Sequence, residues 1–159
     1  MNRPYITKYI FIVEILAYVM NFVAFIIGII CVITADGEVP THYDMYGNVT
    51  DYGSPAVLLL MPIIMFFTLA IMTICLHVVK AENWNMKNIN ITEQNALPLY
   101  IEVGKMNAEL MFMIGFYSLV FTAFWALNYM KHVGLMTVLF CVCLFGDIIY
   151  RSIRMNKYK

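Results

Sequence analysis

The side chains best suited to chemistry lie in one short polar stretch between two long apolar blocks. Residues 40–54 read Pro-Thr-His-Tyr-Asp-Met-Tyr-Gly-Asn-Val-Thr-Asp-Tyr-Gly-Ser. His42, Asp44 and Asp51 supply an imidazole and two carboxylates, which are ligands that suit a divalent metal ion. A zinc site needs three or four such groups converging on one point. The spacing gives no sign of convergence, so we assign no metal and no other cofactor and keep these three residues as candidate ligands only.

The same stretch is dense in residues that favour tight turns, and it carries three tyrosines. Gly47 and Asn48 tolerate the left-handed backbone that such turns need. We therefore expect residues 35–54 to form a compact, ordered cap rather than a loose link. His42 and Asp44 then either satisfy backbone groups of the turns or recognise an extracellular peptide, with metal binding as a third alternative.

A second set of polar side chains lies inside the apolar blocks. Spacings of three and four place several small or polar residues on one face of the first block, which we expect to face other helices: Glu14, Ala17, Asn21, Ala24 and Gly28. Asn21 is expected to make an interhelical hydrogen bond. Glu14, Asn21, His77 and Asp147 form a candidate intramembrane polar cluster that could bind a proton or a cation, as in transporters. The alternative is that these groups reach the headgroups or pair locally, as Asp147 can with Arg151 at i+4.

Composition sets the environment of these residues. The chain has 159 residues, of which 62% are hydrophobic and 13% charged, whereas soluble domains carry about 25% charged residues. The net charge is +0, so no excess of cations is present to neutralise nucleic-acid phosphates. The sequence shows no metalloprotease helix motif, nucleophile elbow or phosphate loop, so we expect no enzyme activity.

Four apolar blocks predict an all-α, polytopic membrane protein with a single four-helix domain over residues 1–159. The blocks cover about 9–34, 55–79, 110–130 and 133–150, and each is close to the ~20 residues that cross a bilayer as a helix. An outer loop is expected at 35–54. The inner loop is expected at 80–109, with a short interfacial helix at about 97–106, where apolar residues recur at helical spacing.

The distribution of lysine and arginine predicts the orientation. Threading four helices with both termini in the cytoplasm places nine of the ten cations inside and leaves only Lys131 outside, as the positive-inside rule requires. The surrounding partner is therefore the lipid bilayer.

The run from Pro40 to Ser54 resembles the signature of the SdpI-like family of bacterial membrane proteins, which carry a domain of unknown function. In that family a proline is followed by His, an aromatic residue and Asn or Asp, then by Gly, and then by Asp-aromatic-Gly-Ser. The resemblance implies a multi-pass protein of the bacterial cytoplasmic membrane, with this motif on the outer loop. The positions that match, and that the resemblance makes candidate binding residues, are Pro40, His42, Tyr43, Asp44, Gly47, Asp51, Tyr52 and Gly53.

Three functions remain open at this stage. The first is a non-catalytic protein of the immunity or signalling type, which recognises a peptide or membrane-protein partner through the outer loop. The second is a small transporter or ion-conducting homo-oligomer that uses Glu14, His77 and Asp147. The third is an accessory subunit of a larger membrane complex.

Overall fold

Four long helices and one β-hairpin make up the fold. The computed structural model describes residues 3–44, 46–84, 89–127 and 129–158. The helices are α1 (Lys8–Thr34), α2 (Leu60–His77), α3 (Ala96–Ala126) and α4 (Val133–Met155), and the hairpin strands are β1 (Val39–Tyr43) and β2 (Val49–Gly53). Short 3-10 turns adjoin α2 and α4, and all four helices are long and apolar enough to cross a membrane. This agrees with the predicted all-α, multi-pass architecture.

Side-chain contacts define two ends of the bundle. At the hairpin end, where α1 finishes and α2 starts, the indole of Trp125 on α3 reaches β1. At the terminal end, where α1 starts and α4 finishes, the Arg3 guanidinium donates to backbone carbonyls at the end of α2. Asn95, just before α3, likewise donates to the carbonyl of Tyr158 after α4. Successive helices therefore run in opposite directions.

The closest helix pair is α1 against α3. All five members of the predicted inward face of α1 are buried, so that prediction is confirmed. A Cβ added to Gly115 on α3 would collide with the backbone of Ala17 on α1, which shows how near the two backbones lie. Small residues allow this approach, and close backbone contact is a main source of helix association in lipid.

The α2–α3 connection differs from the prediction. Helix α3 starts at Ala96 and continues without a break to Ala126, so the segment 97–106 is its first part and not a separate interfacial helix. Leu99, Gly104 and Ala108 are buried, with Gly104 close to Ile10 of α1. Glu102 is buried too and pairs with Arg151 of α4. Because Arg151 pairs with Glu102, the charge of Glu102 can be buried between α3 and α4, and α3 continues through this segment.

Helix α4 lies at the edge of the bundle and packs mainly on α3. Arg151 is its one residue classed as buried, and Leu135, Val142, Phe145 and Ile149 are exposed along its length. The apolar exposed surface suits contact with lipid tails.

The α1–α2 loop is folded as a two-stranded antiparallel hairpin. Val39 pairs with Gly53 and Pro40 with Tyr52, while the register shifts on either side of the pair His42–Asp51. Such shifts twist a ribbon and change the direction in which its side chains point.

Candidate functional site

The hairpin turn is closed by Asp44. Its Oδ1 accepts hydrogen bonds from the backbone N–H groups of Tyr46 and Asn48, each at 2.8 Å, and its Oδ2 accepts one from the Asn48 side-chain amide at 2.8 Å. These hydrogen bonds, with that of the Asn48 side chain the largest cause, hold the pKa of Asp44 below its usual value. Gly47 follows with a φ of +83°, which glycine adopts without a steric cost. Asp44 therefore shapes the turn.

One side of the hairpin is fixed to the bundle. The Trp125 indole N–H donates to the carbonyl of Pro40 at 2.9 Å. At the turn, Gly47 lies so close to Lys131 that a Cβ would come within 2.5 Å of the lysine Cα. Tyr43 is half-buried, and this burial raises the pKa of its phenol, against a smaller opposing effect of Trp125. The α3–α4 connection and the end of α3 thus support the hairpin.

The hairpin also carries motif residues whose side chains are exposed. The side chains of His42 and Asp51 are 74% and 67% exposed, with the His42 Nδ1 and Asp51 Oδ2 atoms 3.7 Å apart. Tyr46 and Tyr52 are 73% and 57% exposed. We refer to His42, Tyr46, Asp51 and Tyr52 as the display surface. Tyr46 joins it although the sequence motif did not single it out, because its exposure depends on the turn that Asp44 makes.

The three candidate metal ligands do not converge. Asp44 is engaged in the turn, whereas His42 and Asp51 lie beside each other with exposed side chains. Within residues 3–44, 46–84, 89–127 and 129–158, no group of three or more His, Cys, Asp or Glu side chains is arranged to hold a metal ion.

The intramembrane candidates fall into separate groups. The first joins α1 to α2, where His77 Nε2 lies 2.7 Å from Glu14 Oε2 and Thr73 donates to Glu14 Oε1 at 2.8 Å. The Tyr18 hydroxyl lies 2.8 Å from the Thr73 hydroxyl and extends this chain along α1. Glu14 and His77 are thus brought together.

Asn21 belongs to a different contact. It accepts a hydrogen bond from Ser118 of α3 at 2.7 Å and donates to the Pro62 carbonyl of α2 at 3.1 Å. The predicted interhelical hydrogen bond is confirmed, and it connects three helices rather than two.

Asp147 lies in a third group, between α3 and α4. Arg151 donates to Glu102 at 2.7 Å and makes two hydrogen bonds to Glu109, whereas Asp147 is 3.9 Å from Arg151. Tyr9 of α1 also donates to Glu109, at 2.7 Å. Asp147 therefore does not join Glu14 and His77 in one cluster. Sequence reasoning missed Glu102, although its spacing of seven from Glu109 places both on one helix face.

A half-open cavity of about 260 Å³ lies beneath the hairpin. Its walls come from the end of α1, the base of β1, Leu58 and the end of α3, including Val39, Pro40 and Trp125. The hairpin therefore has a recess beside its fixed side, open toward the surface.

Comparison with known proteins identifies a family that matches part of the chain. Residues 19–66 match a family described as a domain of unknown function, DUF1648. This segment contains most of α1, the whole hairpin and the start of α2, and it is less than a third of the chain. No curated protein and no solved structure matches the chain.

Proposed function

We propose that this protein is a non-catalytic, multi-pass membrane protein of the immunity or signalling type, and that its hairpin recognises a peptide or membrane-protein partner outside the cytoplasm. The observation that supports this most is a hairpin that is fixed to the bundle through Pro40 and its turn and still exposes the side chains of the display surface. The DUF1648 match over the hairpin, and the resemblance of residues 40–54 to SdpI-like bacterial membrane proteins, support the same assignment.

The contacts that fix the hairpin also restrict the backbone that carries the display surface. The Trp125–Pro40 hydrogen bond and the Asp44 turn hold the backbone from both ends of the hairpin. A preorganised surface loses little conformational freedom when it binds, so more of the contact energy is available as affinity. Tyrosine is also among the residues that most often dominate binding energy, and Tyr46 and Tyr52 are both exposed.

The charge of this end indicates the chemistry of the partner. The α1–α2 loop carries four carboxylates and no lysine or arginine: Asp36, Glu38, Asp44 and Asp51. An acidic surface attracts cationic partners and repels anionic ones. We therefore propose a cationic peptide segment with an apolar or aromatic side chain that packs on the exposed tyrosines.

The charges at the terminal end are consistent with an outward-facing hairpin. The described cations there are Arg3, Lys8, Lys80, Lys105, Arg151, Arg154 and Lys157. The positive-inside rule then predicts that this end faces the cytoplasm. In a bacterial inner membrane, the hairpin end would face the outside.

The transporter alternative has less support, because its three residues lie in two groups. Glu14 and His77 connect α1 with α2, whereas Asp147 lies between α3 and α4. The role of accessory subunit remains a rival, and co-purification of a stoichiometric larger partner would favour it.

A binding experiment in lipid nanodiscs tests the proposal. The probes are a synthetic amphipathic peptide rich in lysine and tryptophan and its counterpart with glutamate in place of lysine. We expect binding of the lysine peptide alone, with affinity at least tenfold lower in the double variant Tyr46→Ala, Tyr52→Ala. Tyr129→Ala is the matched control, because Tyr129 is an exposed tyrosine outside the hairpin. Equal binding of both peptides, or an equal loss in the control, would contradict the proposal.

A further inference from the structure

We propose that Glu14 and His77 form a proton-binding site inside the helix bundle, independent of the display surface. The site lies near the terminal end, between the second turn of α1 and the last turn of α2. Its core is the 2.7 Å contact between His77 Nε2 and Glu14 Oε2, supported by the Thr73 hydroxyl on the other carboxylate oxygen.

The hydrogen bonds of the site have a definite direction. Glu14 as a carboxylate only accepts, so the Thr73 hydroxyl donates its single proton to Oε1. The Thr73 oxygen must then accept from the Tyr18 hydroxyl, 2.8 Å away. The ring N–H at Nε2 of His77 donates to Oε2. Both oxygens of Glu14 therefore have a donor while the second ring nitrogen of His77 remains able to take up a proton.

Because Glu14 is buried, binding of a proton changes the net charge inside the bundle. Glu14 is only 6% exposed, whereas the His77 side chain is 32% exposed. With a neutral imidazole the pair carries one net negative charge, and with imidazolium it carries none. Uptake of a proton from water at the second ring nitrogen thus removes an uncompensated charge from a membrane span, where charges are costly. Histidine is the side chain whose ordinary charge change falls within about pH 5 to 8.

The other charged groups near the site are paired elsewhere or exposed, so His77 is the group that can neutralise Glu14. From the N-terminal segment, Arg3 is engaged by the carbonyls of Leu76, Val78 and Val79. From α3, Lys105 pairs with Glu102, and Glu102 and Glu109 pair with Arg151 of α4. Lys8 and Lys80 are exposed at the ends of their helices. In the part of the chain that the structure describes, His77 is the one basic side chain within 4 Å of the Glu14 carboxylate.

Magnetic resonance of the protein in nanodiscs, with isotope-labelled histidine and glutamate, tests the site. The chain has three histidines, and His42 and His132 are exposed internal references. We expect the His77 ring and the Glu14 carboxyl carbon to respond at one shared pH midpoint, as interacting groups do. In Glu14→Gln the pH response of the His77 ring should change, while the signals of His42 and His132 stay as in the parent protein. A Glu14 signal that stays constant while His77 titrates, or a His77 that takes up no proton between about pH 5 and 8, would overturn the proposal.

A second pair of variants keeps the proposal testable if Glu14→Gln does not fold. Thr73→Val removes the donor to Glu14 Oε1, and Thr68→Val makes the same change in α2 at a hydroxyl that bonds only its own helix carbonyl. We expect Thr73→Val to alter the pH response of Glu14 and Thr68→Val to leave it unchanged. An identical response in both variants would contradict the site. Loss of peptide binding with an intact proton response would instead affect only the proposed function.

Discussion

At the scale of single residues, Arg151 joins α4 to α3 at the terminal end. Its guanidinium is buried and divides its donors between Glu102 and Glu109, with Asp147 nearby. Arginine suits this position because its planar fork binds carboxylates through several fixed donors. The two glutamates can remain inside a membrane span because Arg151 pairs with both of them, and Lys105 and Arg154 also pair with Glu102.

Replacing this guanidinium should be strongly destabilising. We expect Arg151→Gln to lower the free energy of unfolding by about 3–5 kcal/mol, because removing one partner leaves buried carboxylates uncompensated. Arg154→Gln, one turn away and 39% exposed, should change it by about 0–1 kcal/mol. Unfolding in mixed detergent micelles, followed by circular dichroism, measures both. Equal effects of the two changes would show that burial of Arg151 contributes nothing.

The Asp44 turn should depend on pH. Hydrogen bonds from Asn48, Tyr46 and Gly47 hold the pKa of Asp44 in the folded hairpin below its usual value. A depressed folded pKa gives stability that is present above about pH 4 and is lost as the pH falls through the folded value. The protection of the hairpin amides against hydrogen exchange, relative to their intrinsic rates, should therefore fall selectively below about pH 4.

The variant Asp44→Ala should remove this pH dependence and leave the hairpin weakly protected at all pH values. Asp36→Ala is the control, because Asp36 is exposed before β1 begins. Protection that stays high in Asp44→Ala would show that the Trp125 contact alone orders the hairpin.

The sequence predicted burial correctly for residues that share one face of a helix. The spacing in α1 predicted that Glu14 and Asn21 point inward, and both are buried. It could not predict which residues meet them, because Ser118 and His77 belong to distant parts of the chain and their rotation is set by packing. The same limit explains why Asp147 was grouped with Glu14 and not with Glu109.

At the scale of elements, the approach of α1 to α3 depends on Gly115. A methyl group there would overlap the backbone of Ala17, and overpacking of this kind typically costs about 1–3 kcal/mol. We expect Gly115→Ala to lower the thermal unfolding temperature in detergent.

The matched control for this change is Gly146→Ala in α4. A Cβ at Gly146 meets no atom within 4 Å, and alanine favours helix more than glycine by about 1 kcal/mol. Gly146→Ala should therefore leave stability unchanged or slightly raised. A similar loss in both variants would place the effect in the helix backbone and not in the α1–α3 contact.

Element boundaries were predictable where composition changes sharply. The start of α1 and the turn-rich hairpin segment follow from such changes. The start of α3 does not, because its first turns carry the charged residues Glu102 and Lys105 among apolar ones, and the partner of the buried Glu102 is Arg151 of α4. A single sequence window cannot contain that information.

At the scale of the whole molecule, the charges at the two ends predict the orientation in the membrane. We expect a membrane-impermeant maleimide to label Asp36→Cys in intact bacterial cells, in a background where the four native cysteines are replaced by alanine. Lys157→Cys should be labelled only after permeabilisation, because its end of the bundle carries nearly all the cations. Both positions are exposed, so a difference in labelling between them shows on which side of the membrane each one lies. The opposite pattern would place the hairpin in the cytoplasm and contradict the proposed function.

The pairing of α3 with α4 constrains the order in which the chain can be assembled. Glu102 and Glu109 are synthesised 49 and 42 residues before Arg151, the arginine that pairs with both of them. Until α4 leaves the ribosome, the carboxylates of Glu102 and Glu109 lack the Arg151 guanidinium as a partner. The first turns of α3 are therefore not stable within the membrane at that time. We therefore expect α3 and α4 to enter the bilayer together as a hairpin, with Arg151 completing the insertion of a helix made before it.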